Sequence, residues 1–326
     1  MKIKLGIIGV GGIGQLHLKH ALRLGNAEVY CVADTSKSAL QAAKALGVKN
    51  TYNDYTEMLK TPELDAVIIA LPTHLHLKCA RDVAEAKKHV FLEKPISATV
   101  EEAKEVIAAA EQNSVKLMLG YPMRFNNHFL KLKQDIENGV LGDVENAHAT
   151  YVCAGPFVHR TDGHSPAPVP DWWFNPKQTG GGAFIDLGCH IINLMRMLLG
   201  EVVDIRGQFG HRYGMDFEDS AMCLARFTSG TVAAVNVGWY SQDYLLRLDL
   251  HGTVRNASVE HMPPASVSAA YQMLRRGITT FNQPHLDELT YFINCIQNDT
   301  APSPSGLDGL RDLEAIYAAY QNRISL

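Results

Sequence analysis

Gly9-Val10-Gly11-Gly12-Ile13-Gly14 carries the strongest chemical signal in the chain. It follows a short apolar run and precedes a helical pattern, and its G-x-G-x-x-G spacing suits the pyrophosphate of a dinucleotide. Gly9 permits a tight turn, Gly11 lets the backbone approach the phosphates, and Gly14 lets the helix pack closely on the strand. Gly12 and Ile13 open that helix, whose first N–H groups face the ligand. Asp34 stands twenty residues beyond Gly14, at the end of the next strand pattern. A carboxylate there accepts hydrogen bonds from the adenosine ribose hydroxyls and repels a 2′-phosphate, which favours NAD over NADP. Asp34 also has a structural reading, as a cap for the helix starting near Ser36. The chemistry indicated is hydride transfer, in which the nicotinamide accepts the hydride and the protein must handle a hydroxyl proton.

The elements that must position these residues alternate over the first ~120 residues between apolar runs and helical spacing, the mark of a parallel sheet with helices on both faces. Strand patterns cover residues 3–10, 27–33, 65–71, 89–92 and 115–120; helical patterns cover 12–24, 36–46, 74–86 and 100–113. After Gly120 the texture changes. One long helix is expected over 123–138, then a strand over 144–153 and a long loop rich in Gly, Pro and His over 154–182. A helix over 183–199 follows, then strands over 202–212, 220–227, 231–240 and 245–250, and late helices over 285–298 and 307–323. The expected fold is α/β: an N-terminal Rossmann doubly wound parallel sheet over residues 1–121, then an α+β domain over 122–326 with a mostly antiparallel sheet.

Composition narrows the function classes. The chain has 326 residues, 46% hydrophobic and 20% charged, with a formal net charge of -4, which is globular composition. No basic patch speaks for nucleic acid. No run approaches the ~20 apolar residues of a membrane helix, and Met1-Lys2-Ile3-Lys4 leads straight into a strand pattern rather than a signal sequence. The six cysteines form no C-x-x-C pair and read as reduced thiols of a cytoplasmic protein. The expected partner is a small molecule.

Four further motifs carry a family resemblance: Leu71-Pro72-Thr73 with His76; Glu93-Lys94-Pro95; Gly180-Gly181-Gly182 with Asp186-Leu187-Gly188-Cys189-His190; and His17, which extends the glycine fingerprint. Together they resemble the glucose–fructose oxidoreductase / inositol dehydrogenase / MocA (Gfo/Idh/MocA) family. The resemblance implies a nicotinamide-binding first domain, with Leu71, Pro72, His76, Glu93 and Lys94 joining Gly9, Gly11, Gly12, Ile13, Gly14 and Asp34 on the cofactor side. It also implies a sugar, sugar-nucleotide or cyclitol substrate, and a large, open sheet in a second domain that binds substrate and carries homodimer or homotetramer contacts. The chain departs from the family pattern where Trp173 and Asn175 stand for the Arg and Asp of W-R-x-D-P, and where Asn193 stands for the Asp of H-x-x-D.

Lys94, at the end of a parallel strand, is the candidate to polarise a carbonyl or exchange the hydroxyl proton. His190 titrates near neutrality and is its natural partner. Asp186 lies four residues earlier, on the same helical face, as binder and orienter. Each has a plain reading as well: a surface lysine in a turn whose Lys94-Pro95 bond is a candidate for cis, and a polar pair on a helix. Arg124 is a candidate for an anionic group or, equally, a surface ion pair, and Trp172 and Trp173 are candidates for sugar C–H faces or for core packing. His159, Asp162 and His164 fit no standard zinc frame, so no metal is expected. Cys189 reads as core filler. The expected activity is NAD(P)-dependent dehydrogenation of a CH–OH group. The alternatives are an NAD-retaining glycosidase acting by transient oxidation and a non-catalytic dinucleotide-binding sensor.

Overall fold

The computed structural model describes residues 2–157, 169–261 and 283–324. Contacts divide the chain into two compact units: 1–125 with 284–311, and 126–283 with 312–326. A single boundary at 121/122 was the expectation; the chain instead returns to the first unit for one C-terminal stretch.

The first unit contains a six-stranded, wholly parallel sheet in the order β3-β2-β1-β4-β5-β6, the dinucleotide-binding strand order. Its strands are β1 (Ile3–Ile8), β2 (Ala27–Ala33), β3 (Asn50–Tyr52), β4 (Ala66–Ile69), β5 (His89–Glu93) and β6 (Leu117–Gly120). Every residue of β4 is buried, as a strand covered on both faces requires. The helices are α1 (Gly12–Ala21), α2 (Lys37–Ala45), α3 (Tyr55–Leu59), α4 (His76–Glu85) and α5 (Val100–Gln112). Short β3 and α3 escape a periodicity reading because neither completes a repeat. Thr99 caps α5 through Glu102 N, while Glu102 reaches back to Ala98 N, a reciprocal start that satisfies two orphan donors. A late helix, α9 (Pro284–Gln297), explains the return of the chain: its Leu289, Phe292 and Ile293 join Leu5, Ile7 and Leu18 in one core.

The second unit carries a six-stranded sheet in the order β12-β11-β7-β10-β9-β8, formed by β7 (Val144–Val152), β8 (Val202–Gly210), β9 (Ser220–Phe227), β10 (Val232–Gly238), β11 (Leu245–Gly252) and β12 (Asn256–His261). All pairs are antiparallel except β7 with β10. Along β9, Ala221, Cys223, Ala225 and Phe227 are buried while Met222 and Leu224 are exposed, the alternation of a sheet with one covered face.

The expected long helix over 123–138 is two elements, a 3₁₀ turn Pro122–Phe125 and α6 (Asn127–Glu137). Asn126 separates them, its side chain accepting from His128 N to cap α6. The stretch Pro176–Leu199 is long and apolar enough to cross a membrane by length and composition, although no such run was expected. It comprises α7 (Pro176–Thr179), a π-helical turn Phe184–Gly188 and α8 (Cys189–Leu199), and most of it is buried inside the protein. None of the six cysteines is in a disulfide, and burial pushes the Cys31 and Cys223 thiols up to about 12.

Candidate active site

In the first unit the glycine turn joins β1 to α1. Gly9 has φ +84°, and a Cβ there would lie 2.5 Å from the Ala70 carbonyl oxygen. A Cβ at Gly14 would lie 1.9 Å from the Gly9 carbonyl oxygen. These two glycines are demanded by the chain's own packing. Gly11 and Gly12 differ: an added Cβ meets nothing within 4 Å. That open space lies at the start of α1, which has no side-chain cap and no acidic residue in its first turn. Open backbone at a helix N-terminus is what a pyrophosphate needs, so these residues fit the dinucleotide. Ile13 is 41% exposed beside them.

Asp34 follows β2 and pins this turn. Its Oδ2 accepts from Val10 N and its Oδ1 from Ser36 N, each at 2.7 Å. Each carboxylate oxygen keeps a further lone pair for a ribose hydroxyl. Ser36 itself caps α2 through Ala39 N, so the carboxylate serves the glycine turn and the cap falls to its neighbour.

Leu71 and Pro72 form the turn after β4, and Glu93-Lys94-Pro95 closes β5 with a cis Lys94-Pro95 bond. His76 is buried between the two turns, with Nδ1 2.8 Å from the Pro95 carbonyl oxygen and Nε2 2.9 Å from that of Leu71. It therefore lies between the two turns, where a neutral ring donates to one of the two carbonyls. Glu93 is likewise inside: Oε1 sits 2.5 Å from His17 Nε2, and Oε2 accepts from Lys94 N at 3.1 Å. Burial pushes the Glu93 carboxyl up, but His17, Lys94 and His285 together bring it below the usual carboxylate range. Glu93 is thus a charged anchor for the Lys94 main chain. Arg124 takes the ion-pair reading, donating to Asp308 Oδ1 at 3.0 Å and Ser303 Oγ at 3.2 Å.

In the second unit Asp186 lies in the π-helical turn and His190 in the first turn of α8. The widened turn replaces the uniform helix assumed for their four-residue spacing; such turns recur at functional sites. Asp186 Oδ2 accepts from Trp239 Nε1 at 3.3 Å. The His190 ring lies 6.0 Å from that of Tyr151, which meets Tyr244 at 5.5 Å. Burial pushes both phenols above their ordinary range, so Tyr151 meets the histidine as a neutral ring. Buried Glu218 holds the start of the turn, its Oε1 accepting from Gly182 N, Phe184 N and Tyr320 Oη.

Trp172 and Trp173 share a 3₁₀ turn, their rings 5.4 Å apart, and Trp173 lies 6.2 Å from Trp239. Both are half-buried, and the cluster they join leads to Asp186. Asn175 caps α7 through Lys177 N. Asn193 donates to Asp312 Oδ2 at 2.6 Å, so both family departures have structural partners. Cys189 is buried as core filler. His159, Asp162 and His164 lie outside the described residues; among those described, no group of three His, Cys, Asp or Glu is placed to hold a metal. Sequence reasoning missed Trp239, Tyr151, Tyr244 and Glu218, because no local motif marks a residue whose partner comes from a distant strand.

Comparison with known proteins gives a family and a fold. Residues 3–121 match the model of an oxidoreductase family with an NAD-binding Rossmann fold (GFO/IDH/MocA), and residues 129–257 match the GFO/IDH/MocA C-terminal domain. The chain is 28% identical to the myo-inositol 2-dehydrogenase of Thermotoga maritima, across 97% of this chain and 95% of that protein. It is 27% identical to the scyllo-inositol 2-dehydrogenase (NAD(+)) of Bacillus subtilis, across 98% and 93%. A crystal structure of a putative myo-inositol dehydrogenase from Sinorhizobium meliloti superposes with a TM-score of 0.84 at 25% identity, covering 98% of this chain and 97% of that one.

Proposed function

The chain belongs to the GFO/IDH/MocA family of NAD-binding oxidoreductases, and on that premise we propose that it is an NAD-dependent dehydrogenase of a cyclitol or sugar hydroxyl, with inositols the first substrates to test. The observation that carries the reading is the open backbone at Gly11 and Gly12 over an uncapped helix start, with the Asp34 carboxylate fixed beside it. The substrate class rests on the inositol dehydrogenases that match along nearly the whole chain.

Bound NAD supplies the hydride acceptor, and the hydroxyl proton is left to the protein. Lys94 and His190 are assigned to that proton. Lys94 is held by its main chain on Glu93, and its ammonium is assigned to stabilise the developing oxyanion. His190 is assigned to take or give the hydroxyl proton. Asp186, oriented by the Trp239 indole, accepts a substrate hydroxyl. Trp172 and Trp173 offer ring faces to sugar C–H groups. Met222 and Leu224, 60% and 53% exposed on the outward face of β9, are assigned to self-association, which light scattering of wild type and Met222→Asp reads. Six cysteines outside any disulfide suit the reducing cytoplasm.

The test is NADH production from NAD with a panel of inositols and sugars, using wild type and Lys94→Ala. Turnover by wild type that the substitution abolishes supports the reading. Turnover unchanged in Lys94→Ala removes Lys94 from the chemistry. Glycoside cleavage without NADH build-up replaces the dehydrogenase with the glycosidase alternative.

A further inference from the structure

Glu288 is a carboxyl with no assigned task. On α9 it lies three residues beyond His285, on the same helical face. It is 0% exposed, and neither carboxylate oxygen meets hydrogen-bond geometry with any described donor. Facing His285, α1 presents His17 and His20, also three residues apart. The His285 ring stacks on His20 at 6.1 Å and meets His17 edge-on at 6.2 Å. Phe292, one turn beyond Glu288, packs on Phe91 of β5 at 5.6 Å, which brings this face of α9 against the strand that ends in Glu93. His17 Nδ1 and His20 Nδ1 are also buried without a hydrogen-bond partner. On the remaining side α9 packs on the 3₁₀ turn Pro122–Phe125, whose charged group, Arg124, binds Asp308.

Two buried carboxyls close enough for one charge to act on the other do not both ionise at ordinary cost. Glu93 has His17 on one oxygen and the Lys94 N–H on the other; Glu288 has neither. We propose that Glu288 is a positioning residue for Lys94: it keeps its proton at neutral pH and leaves Glu93 as the one charged carboxylate, free to hold the Lys94 main chain. Burial, with the Glu93 carboxylate next, pushes Glu288 well above the usual carboxylate range, and the Tyr121 backbone N–H opposes that push only in part. The neutral acid is therefore the form that fits the fold. This inference deepens the proposed function, since it rests on the part given there to Lys94.

Glu288→Gln, a neutral mimic of similar shape, tests it in the full-length protein. The folded-state pKa is raised, so stability falls as pH rises above the unfolded carboxyl value. The unfolding constant of wild type relative to Glu288→Gln should then grow about tenfold per pH unit from roughly pH 5 upward, until the folded-state carboxyl ionises. A ratio that does not change with pH overturns the protonated carboxyl. In the kinetic arm, Glu288→Gln should keep kcat within about twofold at neutral pH and extend the alkaline limb of the kcat profile, because its side chain never ionises. A profile superimposable on that of wild type overturns the positioning role. The stability arm uses no substrate, so its failure removes this inference alone; absence of turnover in every variant removes the dehydrogenase reading alone.

Discussion

Trp239 donates its indole N–H to Asp186 Oδ2 across 3.3 Å, although 53 residues separate them. Trp239 is 1% exposed at the end of β10, so the donor is fixed by core packing, and the Asp186 carboxylate is oriented by the sheet rather than by its own helix. Trp239→Phe keeps the apolar ring and deletes the donor. A hydrogen bond to a charged group contributes about 1.5–3 kcal/mol. The expected outcome is a fall of about ten- to a hundredfold in kcat/KM for the inositol or sugar substrate, with NAD affinity unchanged by calorimetry.

The two kinds of glycine in the β1–α1 turn separate folding from binding. Gly14→Ala forces a Cβ onto the Gly9 carbonyl oxygen, an overpacking that costs about 1–3 kcal/mol or more, and it should lower the melting temperature of the cofactor-free protein. Gly11→Ala meets open space and should leave that temperature unchanged while weakening NAD by about tenfold or more, about 1.4 kcal/mol. Thermal shift with and without NAD reads both.

Arg196 of α8 is 5% exposed and meets Asp312 at 2.6 Å, with Glu201 on its other side. Asp312, 0% exposed, also receives Asn193. Asp312→Ala would leave the guanidinium buried with one counterion fewer, a change of about 3–5 kcal/mol. Urea unfolding should show that loss; a loss below about 1 kcal/mol would mean that Glu201 and water compensate.

His261 predicts an acid limb of stability. Asn126 Oδ1 is occupied by His128 N, which turns the Asn126 amide N–H toward His261 Nδ1 at 2.8 Å. The ring accepts there and is neutral. Burial, then the charge of His128, lower its pKa to about 4. A base depressed in the folded state contributes stability that is present above its unfolded value near 6.5 and lost as pH falls toward 4, on the order of 3 kcal/mol over that window. Melting temperatures between pH 7 and pH 4 should fall less steeply for His261→Gln than for wild type.

Much of this protein was legible from residues alone. Local chemistry announces itself locally: the glycine turn, Asp34, the E-K-P turn and the D-x-G-x-H helix lie within short stretches, and the alternation of apolar runs with helical spacing announces the parallel sheet. Long-range pairing leaves no such mark. Glu93 and His17 are 76 residues apart, and nothing in either stretch names the other. The helix expected over 123–138 breaks at Asn126 because a side-chain cap competes with the continuous helix that its apolar spacing suggests. The strand β12, with its mixed burial, carries no clean alternation. By itself the sequence determined the cofactor turn, the order of elements and the candidate Lys94, Asp186 and His190, since these depend on backbone conformation and spacing over a few residues. Only the tertiary structure decided that α9 completes the first core, that Trp239 orients Asp186, and that Glu288 lies buried on the helix whose His285 meets His17. Those outcomes depend on which distant surfaces exclude water together, and spacing along the chain does not encode that.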